Sequence, residues 1–342
     1  MVFLDYASTC PIVKFSSQQY DGFHCNPNAA YAYAERKALM DCEERIKSAI
    51  SVKGGHVLYF RCATEAIEWL LHETDNWNDT WGHSPYEHDA CLFGIRRLPD
   101  KLMSLDFYIH QWVNHITGEI FDIKTIRSQL HKTCKLIVDA TAGFGKAKLP
   151  SGLDDIADAL FMSGHKIGCP ELSFMWLSDK LCKWLGAAKD IRNQWGLHHG
   201  SLSVASVMAL TDAVEWACEN GDRVDGHSVR LYVQTNDMLD EACIEHNDVL
   251  EHQMFTCSIN AIRLNGINAD ALQQFLASRG IYVGVGGSAC SAAHDYRVLR
   301  AYGLTNDEAS EVIRVSFGEE TTSSDIEALV EGIKEYKERF IV

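Results

Sequence analysis

The stretch His56-Val57-Leu58-Tyr59-Phe60-Arg61-Cys62-Ala63-Thr64-Glu65-Ala66-Ile67-Glu68-Trp69-Leu70-Leu71 changes character in its middle. Five strand-forming residues run into a short turn at Arg61-Cys62-Ala63. A helix then starts at Thr64, built of good helix formers with an acid in its first turn. Related units follow. Lys135-Leu136-Ile137-Val138 is an apolar run ending at Asp139, and Ala159-Leu160-Phe161-Met162 ends at Ser163-Gly164-His165-Lys166. Leu172-Ser173-Phe174-Met175-Trp176-Leu177 comes almost at once. Short apolar runs alternating with helical stretches predict an α/β fold with a mostly parallel sheet. Their polar ends fall where open α/β sheets place ligands.

Beyond about residue 222 the pattern changes. A helical stretch around Ser228 to His246 leads to a strand over Ser258 to Leu264, a helix over Asp270 to Ser278 and strands at Ile281 to Val283 and Val312 to Phe317. A last helix starts at Ser324. This predicts a large domain over 11–222 and a smaller α+β domain made of 1–10 and 223–342. No linker composition marks the boundary.

The chain has 342 residues, 46% hydrophobic and 23% charged, as expected of a globular protein. No apolar run approaches the roughly 18 residues of a membrane helix. Met1-Val2-Phe3-Leu4-Asp5 lacks the basic flank and cleavage site of a signal peptide. A cytoplasmic protein is expected, with no membrane partner. The net charge of −16 opposes direct nucleic-acid binding. Twelve cysteines are scattered with no C-x-x-C pair, so no metal site is expected and most thiols read as small buried apolar groups.

The strand ends carry the chemistry. A lysine at a strand terminus can bind an aldehyde cofactor covalently. An aspartate at a neighbouring strand end can pair with a protonated pyridine nitrogen. A helix N-terminus at Ala63-Thr64 suits a phosphate. Taken singly, each of these features is more often structural than catalytic.

Their order and wording go further. Leu4-Asp5-Tyr6-Ala7-Ser8-Thr9, Asn26-Pro27, Ala63-Thr64-Glu65, Glu87-His88, Val113-Asn114-His115-Ile116-Thr117-Gly118, Val138-Asp139-Ala140, Ser163-Gly164-His165-Lys166, Gly287-Ser288-Ala289-Cys290-Ser291 and Ile313-Arg314-Val315-Ser316-Phe317-Gly318 fall in one collinear series. The series resembles the cysteine desulfurase family, in its NifS/IscS-like group within the class V branch of fold-type-I pyridoxal-phosphate enzymes. The resemblance implies a fold-type-I transferase with a seven-stranded-type sheet, pyridoxal 5'-phosphate as cofactor and L-cysteine as substrate. It implies that Lys166 carries the cofactor and shuttles the α-proton, that Asp139 pairs with the pyridine nitrogen, and that His88 stacks on the ring as an acid/base group. Ala63, Thr64, Ser163 and His165 would hold the phosphate, with Ser201 reaching the neighbouring site of a homodimer. Arg314 and Asn114 would bind substrate, Arg314 through its bidentate fork. Cys290 would take the sulfur as a persulfide, releasing alanine, and pass it to an acceptor protein.

The sequence also departs from that family. His115 stands for the second Asn of V-N-N, and Ala142 for a Gln three residues after the strand-end aspartate. In relatives both positions bond the cofactor's phenolic oxygen. Ala142 cannot, whereas His115 can donate or accept. Arg61-Cys62 replaces Ser-Gly, Tyr31 and His198 replace a histidine and an arginine, and the chain is shorter near its C-terminus. Rival readings are another class V enzyme (a selenocysteine lyase or aminotransferase), which would not need Cys290, and a non-catalytic scaffold. Iron–sulfur assembly, tRNA thiolation and DNA phosphorothioation are all open as destinations for the sulfur.

Overall fold

The computed structural model describes residues 1–74, 80–92, 105–250, 253–286 and 296–341. Among them are eleven strands: β1 (Val2–Leu4), β2 (His56–Phe60), β3 (Trp81–His83), β4 (Phe107–Gln111), β5 (Lys135–Asp139), β6 (Ala159–Ser163), β7 (Ser173–Leu177), β8 (His246–Asp248), β9 (Ile259–Leu264), β10 (Ile281–Val285) and β11 (Val312–Ser316). Six form one sheet in the order β2-β7-β6-β5-β4-β3, in which only β7 runs against its neighbours. Six strands thus stand among the described residues beside the expected seven-stranded type. The other five form a second sheet, β1-β10-β11-β9-β8, antiparallel except for the β1–β10 pair.

The central strands read as unbroken apolar runs because both faces of the first sheet are covered. Leu136, Val138, Leu160, Met162, Phe174 and Trp176 point into one core, shared with the helices Tyr33–Ala49 and Val204–Glu241. Ile137, Ala159, Phe161, Met175 and Leu177 point into the other, closed by the helix Ala63–Glu73 through Ala66, Ile67 and Leu70. Alternate residues of each strand therefore serve opposite cores.

The helix expected around Ser228 to His246 starts earlier, at Val204, where Ser203 caps it by accepting from the Ser206 N–H at 3.2 Å. It stops at Glu241, just before the left-handed Cys243 (φ 53°), and His246 opens β8 instead. This helix runs unbroken through position 222. Residues Val204 to Ala217 pack into the core of the first sheet and Leu231 and Leu239 into that of the second. Among the described residues no helix is long and apolar enough to cross a membrane.

Candidate active site

Strand register assembles the site. Phe60, Ser173 and Ser163 are successive neighbours across β2, β7 and β6. The turns that follow β2 and β6 therefore leave the same sheet edge, about 10 Å apart at two strand spacings. The first turn carries Ala63 and Thr64, the second Lys166. On the other side, Asp139 lies beside Phe161 and Gln111, so the end of β5 opens onto that edge as well.

Lys166 sits in a 3-10 turn over Gly164–Ile167. Only glycine fits at 164, because a Cβ there would lie 2.2 Å from the Leu172 carbonyl oxygen and 2.4 Å from that of Cys169. The Lys166 ammonium donates to the Ala7 carbonyl. Burial, with the positive charges of Arg314 and Lys146 nearby, pulls its pKa down to about 7. Much of the amine is therefore the neutral nucleophile near neutral pH.

Asp139 is buried at the end of β5, accepting from the Thr141 N–H at 2.8 Å and from the Cys91 thiol at 3.7 Å. His88 precedes a short turn and accepts the Ala90 N–H on Nδ1 at 3.1 Å. As a neutral ring it therefore carries its proton on Nε2. Burial lowers its pKa, opposed by Asp139. The His115 ring stands 5.0 Å away at 67°. His115 Nδ1 meets the Gln111 Oε1 at 3.2 Å, and the Gln111 amide nitrogen donates to the Tyr86 carbonyl. His115 thus donates through Nδ1. Burial, then His88 and Arg314, holds its pKa well below the usual value, so it stays neutral. Ala142 packs into the main core and offers no polar group.

Arg314, on β11, faces this edge from the second sheet and is 3% exposed. Its Nη2 donates to Asp5 Oδ1 at 2.8 Å and Ser8 Oγ at 2.7 Å, and its Nη1 to the His115 carbonyl at 2.8 Å. Its Nε is buried with no partner among the described residues. Gly284, paired with Arg314 across β10 and β11, makes room for the guanidinium. A Cβ at that position would lie 2.8 Å from Nε and 3.0 Å from Asp5 Oδ1. Gly284→Ala is expected to cost about 1–3 kcal/mol by overpacking, read as a lower denaturation midpoint with unchanged slope. A midpoint equal to wild type would show that Arg314 can give way freely.

The remaining expected ligands divide. Among the described residues the amides of Ala63 and Thr64 have no acceptor, and they open the helix Ala63–Glu73. Ser163 already shares a hydrogen bond with Ser173 (3.2 Å), and His165 with Thr9 (3.0 Å). Burial lowers the His165 pKa to about 4. Asn114 is not available to a substrate as it stands. It is fully buried, its amide oxygen accepts from the Ile116 and Thr117 N–H groups at 2.8 and 2.9 Å, and its nitrogen lies 3.5 Å from the Tyr86 carbonyl. A short side chain that holds its own turn in this way is an Asx motif. Ser201 is exposed, and among the described residues it makes no hydrogen bond to this site. Cys290 lies outside the described residues.

Sequence reading missed Gln111, which orients His115, and Gly284 and Ser8, which place Arg314. These residues carry no local signal, since Arg314 and Asp5 are 309 positions apart. The arrangement fits pyridoxal 5'-phosphate. A desolvated lysine, a buried strand-end carboxylate and a helix N-terminus share one sheet edge, and among the described residues neither the first helix amides nor the facing Arg314 Nε–H has an acceptor.

The comparisons agree. The pattern of the family described as aminotransferase class-V matches residues 105–329. A protein described as a putative cysteine desulfurase NifS from Halalkalibacterium halodurans is 23% identical over 99% of both chains. A cysteine desulfurase IscS from Mannheimia succiniciproducens is 27% identical over 97% of this chain and 92% of its own. The fold matches that of a solved NifS-like protein with a TM-score of 0.81 at 18% identity, covering 98% of this chain and 99% of the other. A NifS-like protein from Rickettsia africae gives 0.79 at 18% identity over 99% of both. The chain belongs to the class-V aminotransferase family, whose cofactor is pyridoxal 5'-phosphate.

Proposed function

We propose that this protein is a cysteine desulfurase that takes sulfur from L-cysteine, leaves alanine and carries the sulfur on Cys290. The observation that carries the cofactor half is Lys166, desolvated beside Arg314 on the edge it shares with Asp139 and the Ala63–Thr64 amides. The sulfur half is supported by the Gly287-Ser288-Ala289-Cys290-Ser291 wording and by full-length relatives named as cysteine desulfurases.

When bound, the cofactor supplies an electron sink for the bond-breaking carbon. Asp139 would pair with the protonated ring nitrogen, and the Ala63 and Thr64 amides would hold the phosphate. Lys166 would hold the aldehyde carbon through its amine and would carry the α-proton. His88, with its proton on Nε2, supplies an acid/base group close to the thiol. Arg314 offers Nε to the substrate carboxylate. In net form the carbon–sulfur bond of cysteine breaks, a sulfur–sulfur bond to Cys290 forms, and the freed carbon takes a proton. The atoms balance with no added oxidant.

The persulfide then passes to an acceptor protein, for which the acidic surface favours a basic partner. A homodimer in which the exposed Ser201 reaches the neighbouring site, working in the cytoplasm, belongs to the same reading. The test is Cys290→Ala supplied with L-cysteine. Sulfide and alanine formation are expected to fall by about three orders of magnitude, and mass spectrometry should find no persulfide, while the bound-cofactor absorbance is kept. Undiminished turnover in that variant would replace the desulfurase with another class-V chemistry that does not use Cys290.

A further inference from the structure

Cys91 is a buried thiol to which the proposed chemistry gives no task, and it touches the centre of the site. Its Sγ meets Asp139 Oδ2 at 3.7 Å, while the Thr141 N–H takes Oδ1 at 2.8 Å. Among the described residues each oxygen of Asp139 thus has one protein donor. Glu87 stands against the same pair, and the thiol and carboxylate oxygens of Glu87, Cys91 and Asp139 all lie within 4.8 Å of one another, all three residues buried. Glu87 Oε1 accepts from Ser84 Oγ at 2.5 Å and from the Gln111 N–H at 2.9 Å, and Oε2 has no partner among the described residues.

So crowded a dry cluster cannot hold three negative charges. Burial pushes the Glu87 carboxyl up to about 8. Burial, with Asp139 and Glu87 beside it, pushes the Cys91 thiol well above its ordinary value. Near neutral pH Cys91 is therefore S–H, a weak donor that faces Asp139 Oδ2.

We propose that Cys91 is a positioning residue for Asp139, its thiol holding Oδ2 and setting how strongly the carboxylate attracts the ring nitrogen of pyridoxal phosphate. The proposal rests on the cofactor reading above and not on the fate of the sulfur. A weak donor fixes the orientation of the carboxylate while withdrawing little of its charge. Valine fills similar space without a donor, so Asp139 Oδ2 would lose the contact that orients it. Alanine also removes the donor but leaves a void.

The test has two arms. In cofactor-free protein, the infrared S–H stretching band of Cys91 is isolated as the difference between wild type and Cys91→Val. It is expected at lower frequency than the other buried thiols, and Asp139→Ala should move it back toward them. Should Cys91→Val fail to fold, the difference between wild type and Asp139→Ala isolates the same shift. In cofactor-loaded protein, Cys91→Val and Cys91→Ala are both expected to change the pyridoxal-phosphate dissociation constant in the same direction by about 2–10-fold, the range of one modest hydrogen bond. Normal affinity in Cys91→Val with loss only in Cys91→Ala would show a packing role and overturn the proposal. So would a Cys91 band that ignores Asp139. The infrared arm involves no turnover, so failure of the desulfurase reading leaves it standing.

Discussion

Lys166→Ala is expected to leave a folded protein whose sulfide release from cysteine is lower by about 10³–10⁴-fold or more. Lys166 is the lysine in the turn at the end of β6, whereas the other buried amine nearby, Lys146, sits on a different segment. Stability should move the other way. Lys166 has a folded-state pKa of about 7, against about 10.4 for a free lysine. The unfolded chain therefore binds the proton more tightly, and cofactor-free wild type loses stability as pH falls from about 10.4 toward 7. Removing the amine removes that loss. Cofactor-free Lys166→Ala should melt at or above the wild-type temperature at pH 7, with the difference closing as pH approaches about 10.4. A variant that still releases sulfide would end the assignment of Lys166. One that melts lower at pH 7 would show that the buried amine stabilises the fold after all.

This opposition between activity and stability explains what the sequence could disclose. The strands β5 and β6 are legible because both their faces are buried, so their residues are almost all apolar and the first polar residue at the end stands out as chemistry. Strand β4 hid, since Phe107-Tyr108-Ile109-His110-Gln111 ends in two polar residues that are also buried. His110 satisfies its ring by bonding the Gln111 carbonyl at 2.7 Å, and Gln111 spans Tyr86 and His115. A buried polar group with partners distant in sequence leaves no periodic trace. The long helix hid for another reason. Asn220-Gly221-Asp222 has the wording of a turn, yet the helix runs straight through it, with the Ala147 carbonyl packed 3.3 Å from where a Cβ on Gly221 would lie. The roles of Lys166 and Asp139 could be read from strand ends and motif wording. The guanidinium network could not, because β1 and β11 come from opposite ends of the chain and meet only in the sheet.

That network makes Arg314 the second residue whose loss should be severe. Its fork holds Asp5, Ser8 and the His115 carbonyl, so Arg314→Leu leaves the Asp5 carboxylate without its counter-charge in a largely buried setting. Breaking such a pair from one side costs about 3–5 kcal/mol, measurable by denaturant unfolding. The electrostatic consequence has a definite sign. Arg314 is, after burial itself, the leading influence that lowers the Lys166 pKa, whereas Asp5 raises it. Removing the arginine and freeing Asp5 therefore both raise that pKa toward the ordinary lysine value. Less of the amine is then neutral at pH 7, and the pH of half-maximal cofactor uptake should move to higher values. Arg314→Lys keeps a charge but loses the planar fork, so it should preserve much of the uptake profile while raising the KM for cysteine. If the uptake profile of Arg314→Leu coincided with wild type, the two cations would not be coupled, and the low pKa of Lys166 would be the work of burial and Lys146.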